Sequence, residues 1–144
     1  MKNNILKKNI KKPLVGTWSS LSSTNVIDAL GATDLDFIII DLEHGMTSYE
    51  KLENLVRVCE LRKISPIIRT MNSEQQEILK CLDTGCNSIM IPHISTSETA
   101  KKVSLFCKYY PLGNRGLSPY TRVHNYSHIN IDKSLQKVNK NNFI

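Results

Sequence analysis

The chain predicts an α/β protein with a parallel sheet, and three observations carry that expectation. Short apolar stretches rich in β-branched residues recur along the sequence, each followed by a segment of helical periodicity. The connections between them are short, so successive strands share one sheet and return through covering helices, which makes them parallel with right-handed crossovers. The most apolar stretch, FIIIDLEHG at 37–45, breaks from its isoleucines into Asp41, Glu43, His44 and Gly45. A buried parallel strand delivering polar groups at its C-terminal end has this pattern. Strand ends of that kind are where open α/β sheets and β/α barrels place their chemistry.

The elements follow in order. Residues 14–18 read as a first strand, and Ser22, Ser23 and Thr24 offer caps for a helix with Val26, Ile27 and Leu30 on its apolar side, stopped by Gly31. The second strand is 37–41. Thr47 or Ser48 then opens a helix in which Leu52, Leu55, Val56 and Cys59 form one buried face at the i, i+3, i+4, i+7 spacing. Residues 66–69 give a third strand, and a helix opened by Asn72 or Ser73 carries Ile78, Leu79 and Leu82 until Gly85. A fourth strand spans 88–91 and ends at Pro92 and His93; Ser95 with Glu98 makes a capping box for a helix through Val103, Phe106 and Cys107. Beyond Tyr110 comes a polar loop, then a weak helix at 132–138, and Phe143 with Ile144 reads as the opening of a fifth strand.

Composition narrows the function classes. One domain is the expectation for 144 residues of 40% hydrophobic content. Of the net charge of +6, five units sit on Lys2, Lys7, Lys8, Lys11 and Lys12, leaving +1 for the remainder. Residues 1–12 are therefore a basic tail on a domain spanning 13–144, and without interleaved aromatics or a reading helix they do not make a nucleic-acid binder. The tail lacks the apolar core of a signal peptide and no stretch approaches a membrane span, which predicts a cytoplasmic protein. Cys59, Cys81, Cys86 and Cys107 form no CxxC pair and are expected as reduced, buried thiols.

The strand ends collect the chemistry: Trp18, then Asp41 with Glu43 and His44, then Arg69, then Pro92 with His93. His44 reads either as a structural histidine beside a helix start or as an acid-base group. Arg69 reads either as an ion partner of Asp41 or Glu43, or as a planar fork for a substrate carboxylate. Asp83 falls near a helix C-terminus, where the macrodipole disfavours a carboxylate, and so calls for a partner; a histidine oriented by it is one such partner. His124 and His128 are four apart in poor helical sequence, which favours a surface loop over a zinc pair. The glycines of GNRG are not a dinucleotide fingerprint.

Five motifs, in order, resemble the HpcH/HpaI aldolases, metal-dependent class II enzymes acting on 4-hydroxy-2-oxo acids. They are VGTW at 15–18, DFIIIDLEHG at 36–45, PIIR at 66–69, CLDTGCNSIMIPHIST at 81–96 and YYPLGNRGLSPYTR at 109–122. The resemblance implies a TIM-type β/α barrel whose first four strand-helix units are present here, a half barrel. It implies catalytic roles for His44 as acid-base group, Asp83 as its orienter and Arg69 as holder of the substrate and its enolate oxygen. Trp18 is implied to help bind substrate, with Asp41, Glu43, Arg115 and Gly116 in support. The expected reaction is retro-aldol cleavage to pyruvate and an aldehyde in a homo-oligomer, helped by a divalent Mg, Mn or Co ion. The family's metal ligands are expected beyond Ile144, with none in this chain, because such a barrel takes ~250 residues. The chain is accordingly expected to be incomplete as an enzyme; the competing reading is a non-catalytic half-barrel oligomerisation or binding module.

Overall fold

A computed structural model describes residues 13–144; the basic tail at 1–12 lies outside the described residues. Four strand-helix units follow one another: β1 (Gly16–Ser19), α1 (Thr24–Leu30), β2 (Phe37–Asp41), α2 (Tyr49–Arg62), β3 (Ser65–Arg69), α3 (Gln75–Asp83), β4 (Ile89–Met90) and α4 (Ser97–Phe106). A 3-10 turn at Arg122–His124 and the helix α5 (Ile131–Asn141) complete the chain. The strands pair in parallel in the order β1-β2-β3-β4. The expected fifth strand begins as a single parallel bridge between Ser88 and Phe143, with the Phe143 amide donating to the Asn87 carbonyl at 2.8 Å and the Ile89 amide to the Phe143 carbonyl at 2.9 Å.

The period-2 alternation of β2 separates two faces. Ile38, Ile40 and Leu42 pack with Leu52, Leu55, Val56 and Cys59 of α2 and Ile78 and Leu82 of α3 in one core. Each fully buried aliphatic side chain contributes about 2 kcal/mol to that core. Residues of the opposite parity line the other face in register across the sheet: Trp18 beside Ile39 beside Ile67, and above them Asp41 beside Arg69 beside Met90. Gly16 leaves space on this face for the Phe37 ring, whose nearest atom stands 2.3 Å from where a Cβ would be. Toward the β4 edge, Ile67, Ile89, Met90, Ile94, Phe143 and Ile144 line an apolar cleft of about 540 Å³.

Element boundaries move where local hydrogen bonds compete with helix entry. Asn72 does not open α3; its Oδ1 accepts from the Glu74 amide at 2.9 Å in a turn, and the helix begins at Gln75. Thr96, not Ser95, caps α4, accepting from the Thr99 amide at 3.1 Å. The first strand runs Gly16–Ser19, a little later than 14–18, while α5 spans 11 residues, longer than expected. Among the described residues no helix is long and apolar enough to cross a membrane. All four cysteines are free and buried, and burial pushes the thiols of Cys59, Cys86 and Cys107 up to about 12.

The surface-loop expectation for His124 is corrected. His124 is buried, its Nε2 2.9 Å from the Tyr109 hydroxyl and its Nδ1 2.8 Å from Ser134 Oγ. Burial first, then the nearby Arg115 charge, lowers its pKa and favours the neutral ring. His128 does stay exposed. The sequence could not show this, because the partners lie 10 and 15 residues away in other elements.

Candidate active site

The end of β2 builds the site. Asp41 is the last residue of the strand and 5% exposed. Its Oδ1 accepts from the Glu43 amide at 3.0 Å and the His44 amide at 3.3 Å, so the chain turns sharply over its own carboxylate. Gly45 closes that turn: a Cβ there would sit 2.1 Å from the Asp41 carbonyl oxygen, which backbone cannot vacate.

Parallel register sets Asp41 beside Arg69 at the end of β3. The guanidinium grips the carboxylate with both arms, Nε to Oδ1 at 2.8 Å and one Nη to Oδ2 at 2.6 Å, and its other Nη lies 2.9 Å from Glu43 Oε2. The Arg69 hydrogen bond, outweighing the opposing effect of burial, holds the Asp41 carboxyl below the usual carboxylate range. Behind the fork lies the half-exposed ring of Trp18, with the guanidinium carbon 4.6 Å from its centroid. Glu43 bridges onward: its Oε1 is 2.8 Å from Nε2 of His93 in the loop just after β4.

Trp18, Asp41, Glu43 and Arg69 thus share one end of the sheet, and the two sequence readings of Arg69 merge. It is an ion partner of both carboxylates, yet two of its five N–H groups remain outside those bonds. His44 is exposed on the same loop, and its imidazole makes no hydrogen bond to a described residue. His93 stands at a strand end in the sequence without a role assigned to it; in the structure it is the fourth link of the cluster.

Asp83 is not brought to His44 within one chain. Helix α3 runs antiparallel to the strands, so its nine residues carry Asp83 ~13 Å toward the opposite end of the sheet. There Asp83 Oδ1 meets an Nη of Arg115 at 2.7 Å. The Arg115 side chain is completely buried and stacks 4.6 Å from the Tyr109 ring centroid. Its Nε and the other Nη have no hydrogen-bond partner. The cation beside Asp83 comes from the loop after α4, not from a histidine. Gly116 is exposed and meets only Leu79 at ordinary contact distance, so sterics do not demand a glycine there.

A divalent metal needs carboxylate oxygens, and those at this site are committed. Both oxygens of Asp41 and both of Glu43 already serve Arg69 or His93. Among the described residues no group of three or more His, Cys, Asp or Glu side chains could hold an ion. The described residues by themselves do not fit a metal centre.

Four parallel strand-helix units with an arginine, two carboxylates and two histidines at the strand C-termini define an enzyme-like β/α barrel half. The comparison with known families makes it specific: the model of the HpcH/HpaI aldolase/citrate lyase family matches residues 14–141. The chain belongs to that family. It is 27% identical over 112 residues to the 2-dehydro-3,6-dideoxy-6-sulfogluconate aldolase of Pseudomonas putida, covering 78% of this chain and 44% of that protein. It is 29% identical over 116 residues to the hydroxypyruvate/pyruvate aldolase of Roseobacter denitrificans, covering 79% of this chain and 45% of that one. The crystal structure of an HpcH/HpaI aldolase from Desulfitobacterium hafniense superposes with a TM-score of 0.87 at 27% identity, over 99% of this chain and 55% of its own. The chain spans about half the length of the relatives it matches.

Proposed function

We propose that this chain supplies the first half of a carbon–carbon lyase site that cleaves a 4-hydroxy-2-oxo acid to pyruvate and an aldehyde. The observation that supports this best is the Arg69 fork. It is braced by Asp41, Glu43 and Trp18 at the strand ends, where a 2-oxo acid carboxylate and its developing enolate oxygen need a preorganised cation. His44, unengaged and exposed beside it, is the acid-base group that takes the proton of the 4-hydroxyl and returns it to the enolate carbon in the steps of a retro-aldol cleavage. Arg115 lies at the other end of the sheet and supports the fold around Asp83.

The divalent ion of the family supplies Lewis-acid stabilisation of the enolate when bound. The oxygens of Asp41 and Glu43 are committed to Arg69 and His93, so neither residue is cast as its ligand. Asp83 reaches a His44 imidazole only from a second copy of the chain, so its orienting role is tied to a homo-oligomer. Its side chain is partly exposed and engages Arg115 through Oδ1, which leaves Oδ2 for that contact. A cytoplasmic setting, with free thiols, completes the reading.

The competing module reading predicts no affinity for 2-oxo acids. Calorimetric titration of the purified chain with pyruvate separates the two: saturable heat at millimolar ligand is expected, and a flat titration over that range leaves the half barrel as a binding or oligomerisation module.

A further inference from the structure

We propose that His93 is a positioning residue that makes Arg69 competent to take an anionic ligand, by neutralising Glu43 across their shared hydrogen bond. The inference rests on the reading of Arg69 as a 2-oxo acid carboxylate site and adds to it a residue and a condition.

The difficulty that His93 resolves is one of charge. Asp41 and Glu43 share a single guanidinium, so the cluster carries one net negative charge although Arg69 still has N–H groups to offer. A carboxylate ligand entering there meets repulsion as well as attraction. A protonated imidazole on Glu43 brings the cluster to neutrality and leaves Arg69 free to accept the ligand.

The backbone is arranged to deliver that imidazole. His93 has φ +59°, the left-handed region that side chains other than glycine rarely occupy. It follows Pro92 in the loop just after β4, the strand next to β3, and from there Nε2 reaches Glu43 Oε1 at 2.8 Å. Glu43 is largely buried, whereas the His93 side chain is 81% exposed. The ring is therefore open to solvent, while the carboxylate it serves is enclosed and cannot reorient freely. The charged groups it faces are Glu43 and, behind it, Arg69 and Asp41; His44 stands on the same β2 loop, and Glu98 lies in the first turn of the following helix.

Trp18 makes the idea measurable without turnover, because it is the sole tryptophan and lies against the Arg69 guanidinium. Pyruvate, monoanionic throughout, is titrated against tryptophan emission between pH 5.5 and 8. The expected result is an affinity about fivefold weaker at the upper end, the size of one charge acting over several ångströms in a partly screened site. His93→Gln should be weak and independent of pH, and His93→Lys tight and independent of pH. A wild-type affinity that does not change with pH, or a pH dependence that survives in His93→Gln, overturns the role of His93. If pyruvate leaves the emission of the wild-type chain unchanged at every pH, the carboxylate role of Arg69 itself is overturned, and this inference with it.

Discussion

Replacing Arg69 with alanine is expected to cost about 3 kcal/mol of stability, because it leaves two poorly exposed carboxylates facing each other without their cation. Asp41 and Glu43 have side chains 7% and 12% exposed, so water cannot replace what the guanidinium supplied. The Trp18 ring also loses the cation stacked on it. The pH dependence follows from the direction of the Asp41 shift. Its folded pKa is depressed, chiefly by Arg69, so the linked stability is present above the unfolded value of about 3.9 and disappears as pH falls through the folded value. Urea unfolding of wild type and Arg69→Ala should therefore show a wide gap at pH 7 that narrows as the pH drops below about 4. A gap that stays constant into acid would mean that the ion pair is not what stabilises this end of the sheet.

At the opposite end, Asp83→Ala is expected to be still more damaging, at about 4 kcal/mol, since it strands a fully buried guanidinium. Two nitrogens of Arg115 already lack a hydrogen-bond partner, and among the described residues its carboxylate partner is Asp83. The converse change, Arg115→Met, leaves Asp83 24% exposed and able to rehydrate. It also removes the two orphaned donors while keeping a long side chain against Tyr109. The order of stability should be wild type or Arg115→Met first and Asp83→Ala well below. Adding Arg115→Met to Asp83→Ala should recover most of the loss. Equal costs for the two single changes in chemical denaturation would show that the pair is hydrated and not buried.

How much of this was legible in the sequence differs between fold and site. The hydrophobic periodicities of residues 37–41 and 49–62 are dictated by burial on both faces of a strand and one face of a helix, so β2 and α2 emerge where expected. Starts and caps were less legible, as at Asn72 and Ser95, because a short polar side chain can serve either a turn or a helix and the neighbouring backbone decides. At the site, the grouping of Trp18, Asp41, Glu43 and Arg69 followed from strand ends alone, since parallel register aligns them. The bond from His93 to Glu43 did not, since it requires an unusual backbone conformation at one residue. Asp83 shows the limit most clearly: its need for a partner could be read from helix position, but not the identity of that partner, which comes from 32 residues along the chain. Buried Glu77 likewise gave no signal, because its Tyr49 partner lies 28 residues away in another helix.

The most direct test of the central claim is catalytic complementation by chimera. Residues 14–141 replace the matching part of the Roseobacter denitrificans hydroxypyruvate/pyruvate aldolase, and pyruvate release from a 4-hydroxy-2-oxo acid is followed with divalent metal present. The account predicts turnover that falls about 100-fold or more on His44→Ala, the scale of a lost general acid-base group. A folded, oligomeric chimera that releases no pyruvate, or whose rate is indifferent to His44, would contradict it.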